Sequence, residues 1–158
     1  MEPSARPVEI LLVEDHPGDV KLLQACLTDE PWPHRLSVVG DGEAAMTFLA
    51  RHAPYMEAPI PDLIVLDIYL GTKSGWEVLE WVRATPAVAT IPVVMRTGSL
   101  SPFDEQERAR LQPTRCLVKP RNIEQYQAIV NAFREVRQSK PPAACLSPCS
   151  LLPAATLP

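Results

Sequence analysis

Apolar and polar positions along the chain follow two alternating rhythms. Short apolar runs fall at VEILLV (8–13), HRLSVVG (34–40), DLIVLD (62–67), IPVVMRT (91–97) and RCLV (115–118). Runs this short, bounded mostly by Gly, Pro and Asp, read as strands, and DLIVLD is apolar enough to be covered on both faces. Between them the apolar spacing shifts to that of a helix. Val20, Leu23, Cys26 and Leu27 share a face after Pro17, a residue suited to a first helical turn. Segment 41–52 reads as a helix capped by Asp41, and 74–84 as one with Val78, Leu79 and Val82 inward. Segment 101–111 is a weak amphipath with Ser101 as cap and Phe103 and Leu111 as its main apolar residues. Segment 122–137 is the clearest helix, with Ile123, Tyr126, Ile129, Val130 and Phe133 at helical spacing.

Five alternations of strand and helix predict an α/β fold: a five-stranded parallel sheet with helices on both faces. The expected strand order is 2-1-3-4-5, the flavodoxin-like arrangement, with its switch point between the first and third strands. In such a sheet the carboxyl ends of the strands share one edge, where sites form. The first strand ends at Glu14-Asp15 and the third at Asp67. The fourth ends at Thr97, before Gly98, and the fifth runs into Lys119-Pro120.

That edge therefore gathers three carboxylates, a hydroxyl and an ammonium. Taken alone, Glu14-Asp15 is a solvated loop capping the next helix, and Lys119-Pro120 is a strand exit. Taken together, three converging carboxylates need a proton or a cation among them. Oxygen-only ligands select a hard ion such as Mg²⁺, which keeps waters that a phosphate oxygen can replace. A metal, a carboxylate nucleophile, a hydroxyl donor and a lysine suit phosphoryl chemistry on the carboxylate.

ILLVEDHPGD, DLIVLD, MRTGS and CLVKP, in this order and spacing, resemble the signatures of response regulator receiver domains over residues 8 to 137. VEDHPGDVKLL and the cysteine before LVKP look most like the small single-domain regulators paired with bacterial phytochromes. The resemblance implies that Asp67 is phosphorylated by a sensor histidine kinase of phytochrome type. It implies that Asp15 holds Mg²⁺ directly and Glu14 through water, with the backbone carbonyl of Tyr69 as a further ligand. Thr97 and Lys119 would contact the phosphoryl group, and the Lys119–Pro120 bond would be cis. It also implies a homodimer through the last two helices and the last strand. Two positions depart from the family pattern. Cys116 stands where many receivers carry an aromatic that swings with the threonine, and Gly71 stands where proline is frequent. Tyr69, two residues past the acceptor, either shields an acyl phosphate from water or simply lies over the loop.

Composition narrows the alternatives. Net charge is −4 with no basic block, which argues against nucleic acid as a partner. No apolar run approaches the ~20 residues of a membrane span, and MEPSARPVEILLVED is no signal peptide, so the expected location is cytoplasmic. Residues 1–7 read as an extension, 8–137 as the domain, and 138–158, with five prolines and one charged residue, as a tail. No output domain is recognisable, so the signal is expected to leave by protein contact. Cys26 and Cys116 read as small core residues, and Cys145 and Cys149 lie in the tail with no histidine near. His16, His34 and His52 read as solvated, and Trp76 and Trp81 as packing. A phosphatase of the haloacid dehalogenase type needs a second aspartate where Tyr69 stands. A flavin module needs a hydroxyl- and glycine-rich loop where EDHPGD is acidic. The stronger rival is a receiver-shaped adaptor that never takes a phosphate.

Overall fold

The computed structural model describes residues 6–119 and 122–139. The chain forms β1 (Val8–Val13), α1 (Pro17–Thr28), β2 (His34–Val39), α2 (Gly42–Leu49), β3 (Leu63–Asp67), β4 (Tyr69–Leu70), β5 (Lys73–Ser74), α3 (Gly75–Ala84), β6 (Val93–Thr97), α4 (Pro102–Leu111), β7 (Arg115–Val118) and α5 (Ile123–Ser139). Five strands pair in parallel in the order β2-β1-β3-β6-β7, which is the expected order 2-1-3-4-5 of the main strands. Leu12 lies opposite Val65, Val65 opposite Val94, and Asp67 opposite Arg96. That register brings the carboxyl ends of β1, β3 and β6 level.

Side chains alternate across the pleat, and each face has its own core. Leu11, Val13, Ile64, Leu66, Val93 and Met95 face α2 and α3, where Phe48, Trp76, Val78, Leu79 and Val82 cover them. Ile10, Leu12, Leu63, Val65 and Val94 face α1 and α5, under Leu23, Leu27, Tyr126, Ile129 and Phe133. Glu30 ties α1's end to α5, accepting from Arg134 at 2.6 Å and from the Trp32 indole at 2.7 Å.

The helix starts follow local chemistry. Asp41 accepts from the Ala44 amide, and Ser74 and Ser101 each close a reciprocal box with Glu77 and Asp104. α1 is capped by His16, whose Nδ1 accepts from the Asp19 amide, so the Glu14-Asp15 pair is free of that task. α4 differs most from expectation. Its buried residue is Asp104, while Phe103 is 59% exposed. The hairpin β4–β5 was not legible as strands: each has two residues, too few for a period. Its turn carries Gly71 at φ +71°, a left-handed conformation that a proline cannot adopt. The Lys119–Pro120 peptide, expected to be cis, and the tail cysteines lie outside the described residues.

Gly75 sets how closely α3 approaches the end of β3. A Cβ there would stand 2.3 Å from the Asp67 carbonyl oxygen and 2.9 Å from the Ile68 Cα, both backbone. Gly75→Ala is therefore expected to cost about 2 kcal/mol or more in urea unfolding. Gly40→Ala, at an exposed position with nothing within 4 Å, is expected to stay within about 0.5 kcal/mol of wild type.

Candidate functional site

Among the described residues the buried polar side chains are Glu9, Glu14, Asp67, Arg96, Thr97 and Asp104. All but Glu9 sit at the carboxyl edge of the sheet or in the first turn of α4. Burying this much charge at one end is costly unless the groups neutralise one another.

Glu14, Asp15 and Asp67 each offer a carboxylate oxygen, and these lie within 4.8 Å of one another. Glu14 follows β1 and is held inward by the His16 amide, which donates to its Oε1 at 3.1 Å. Asp15, one residue on, is exposed. Asp67 ends β3, buried, and its Oδ1 accepts a long bond of 3.4 Å from the Tyr69 amide. Burial pushes the Glu14 carboxyl up; the Lys119 ammonium pulls it back and the Asp67 charge raises it again.

Lys119 is the hub. Its Nζ lies 2.7 Å from Asp67 Oδ2, 3.0 Å from Glu14 Oε2 and 3.1 Å from Asp19 Oδ2. Burial works against its charge, but the bonds to Asp67 and Glu14 outweigh that and hold the ammonium above its usual range. Asp19, in the first turn of α1, extends the site beyond the expected acids. Burial favours its neutral form, but the bond from Lys119 wins and holds its carboxyl below the usual range. Its position in the acidic loop EDHPGD, four residues after Asp15, was the available signal.

Thr97 is fully buried, and its hydroxyl donates to the Ser99 carbonyl at 2.6 Å while accepting from the Ser99 amide at 3.2 Å. The structure thus brings Thr97 to the right edge but turns its hydroxyl into the loop before α4. Leu100, Leu111 and Cys116 pack against the margin of the α2–α3 core, so the cysteine fills its place as a small apolar group.

Two buried charges at this edge went unread in the sequence. Arg96 is one, with 0% exposure on a central strand. It lies in register with Asp67, and its Nη2 is 3.9 Å from Glu14 Oε2. The signal was a charged residue inside VVMRT, on a strand that the fold buries on both faces. Asp104 is the other. It accepts from the Trp76 indole at 2.9 Å, the Tyr69 phenol at 3.1 Å, and the Ser101 amide and hydroxyl at 2.8 and 2.7 Å. One carboxylate thereby joins α3, the strand following Asp67 and the start of α4. Tyr69, 57% exposed, leans toward α4 through this bond.

A model of the response regulator receiver domain matches residues 10–131. The chain belongs to this family. It is 39% identical over 117 residues to the response regulator Rcp1 of Synechocystis sp., covering 74% of this chain and 80% of that protein. The structure of the Mn²⁺-bound form of Rcp1 superimposes with a TM-score of 0.79 at 35% identity, covering 87% of this chain and all of the other. The phosphorylated cyanobacterial phytochrome response regulator RcpA superimposes with a TM-score of 0.78 at 34% identity, covering 86% of this chain and 97% of that one. Phytochrome response regulators are thus close relatives of this receiver domain. No helix among the described residues is long and apolar enough to cross a membrane.

Asp104 makes a checkable demand on pH. Burial alone would raise its carboxyl, but bonds from Trp76, Ser101 and Tyr69 prevail and hold it below the usual range. A group depressed on folding contributes stability that is present above its unfolded value and lost as pH falls through the folded one. Thermal unfolding followed from pH 6 downward is expected to show the wild type losing stability below about pH 4. Asp104→Asn is expected to start lower and to lose less over the same interval.

Proposed function

We propose that this receiver takes a phosphoryl group from a phosphohistidine of a sensor kinase, of phytochrome type, onto Asp67. The observation that carries the reading is the single contact cluster in which Lys119 reaches both Asp67 and Glu14 while Asp15 stands beside them. The acids fit a hard divalent ion: three carboxylates supply only oxygens, from two adjacent strand ends. Asp15, Glu14 and Asp67, with the Tyr69 carbonyl, would hold it. Bound there, such an ion, Mg²⁺ by its abundance and preference for few carboxylates, would offset charge on phosphoryl oxygens.

The chain's own residues do the rest. A carboxylate oxygen of Asp67 forms a bond to phosphorus as the bond from phosphorus to the kinase imidazole breaks, and the imidazole nitrogen keeps the electron pair. Lys119, within 2.7 Å of Asp67, is placed to neutralise an equatorial oxygen. Thr97 would release the Ser99 carbonyl and donate to another. Its turn would draw in the loop that leads to α4. With Cys116 in place of an aromatic, a second route to α4 runs through Tyr69 and Asp104. Phe103 and Val118, each 59% exposed, give the α4–β7 side an apolar surface suited to a homodimer. The kinase domain would be cytoplasmic, and a net charge of −4 with no basic block argues against nucleic acid as a partner.

Incubation with Mg²⁺ and acetyl phosphate, read by intact mass, is expected to add one phosphoryl group. Asp67→Asn and excess EDTA should each abolish it. A wild-type mass that never changes, with acetyl phosphate or with candidate kinases, would leave the adaptor reading in its place. Tyr69→Phe is expected to accept the phosphoryl group normally. Its amides across 101–111 should then show a smaller phosphorylation-dependent change in hydrogen exchange than wild type.

A further inference from the structure

Arg96 plays no part in the chemistry above, yet its surroundings satisfy it poorly. Its Nε, Nη1 and Nη2 have no hydrogen-bond partner among the described residues, and the side chain is fully buried. It stands opposite Asp67 on one side and Leu117 on the other, on the face that holds Val65 and Val94. An apolar side chain would fill that position at no electrostatic cost, so the charge itself calls for an explanation.

The charge faces the acid pocket. Its nearest carboxylate oxygen is Glu14 Oε2, at 3.9 Å, the same atom that Lys119 approaches at 3.0 Å. Lys119 is already within ion-pair distance of three carboxylates, Glu14, Asp19 and Asp67. Arg96 adds a second cation and, being buried, is little screened by salt.

We propose that Arg96 is a resident counter-cation that sets the divalent-ion affinity of the pocket, weakening it by competing for the field of Glu14. This rests on the reading that Glu14, Asp15 and Asp67 bind such an ion. An arriving ion has to draw on a carboxylate that two cations already share, and it meets the repulsion of a guanidinium that cannot withdraw to solvent. Arg96 is a positioning residue for charge and touches neither the phosphoryl donor nor the acceptor bond.

The test is calorimetric titration of Mn²⁺ and of Mg²⁺ into wild type, Arg96→Met, Arg96→Lys and Asp15→Asn, with thermal unfolding in the absence of ion to show that each is folded. Arg96→Met is expected to bind both ions at least about tenfold more tightly, the scale of removing one neighbouring like charge. Arg96→Lys, which keeps the charge, should stay within about threefold of wild type, and Asp15→Asn should bind more weakly. Equal or weaker binding by Arg96→Met, or an Arg96→Lys that behaves like Arg96→Met, overturns the proposal while leaving the pocket's ion binding intact. Binding by no variant overturns the divalent-ion reading and the proposal with it.

Discussion

The ammonium of Lys119 among Glu14, Asp19 and Asp67 is the interaction on which the rest of this structure depends. Carboxylates from β1, α1 and β3 converge because the parallel register puts their carriers level, and convergence of like charge opposes folding. A single cation carried in from β7 across the sheet offsets that opposition. It does so from a partly exposed position, so the cluster stays reachable from solvent. Packing alone would have produced a sheet edge lined with solvated acids. The lysine turns those acids into one electrostatic unit, and any change in the charge of Asp67 must then be felt by every member.

Two further devices surround that unit, and they face opposite ways. On the α1–α5 face, Arg96 brings a second positive charge up to Glu14 from within the core. On the α2–α4 side, Asp104 carries a negative charge into the interior and has it satisfied by Trp76, Tyr69 and Ser101. The first acts on the charge state of the pocket and the second on the placement of α4. α4 needs such an anchor because it buries little else: Phe103 points outward and only Leu111 reaches the core margin. An element held by one polar hub can be displaced by altering that hub, whereas one held by a broad apolar face cannot.

Much of the fold was legible because its signals are local. Apolar runs and helical spacing located the five sheet strands and five helices, and Asp41, Ser74 and Ser101 are caps that act within four residues of themselves. The pocket was legible too, since Glu14, Asp15, Asp67, Thr97 and Lys119 each lie at a strand end, and strand ends in a parallel sheet share an edge. What went unread lacks a local signal: Tyr69–Leu70 and Lys73–Ser74 are too short to show a period, and Asp104 and Arg96 are charges that only tertiary contacts bury. Composition rules place charge outside, and they fail where other elements supply compensation that adjacent residues do not reveal.

The chain's order of residues, by itself, determined which chemical groups exist and which strand each one terminates. That follows from periodicity and capping, which need only near neighbours. Tertiary structure alone decided the partnerships: Asp19 with a lysine 100 residues away, Tyr69 and Trp76 with the same carboxylate on α4, and Arg96 with Glu14 instead of solvent. The physical reason is that a charge becomes significant only in the dielectric and company that folding gives it. Both depend on contacts between segments that no local pattern can pair.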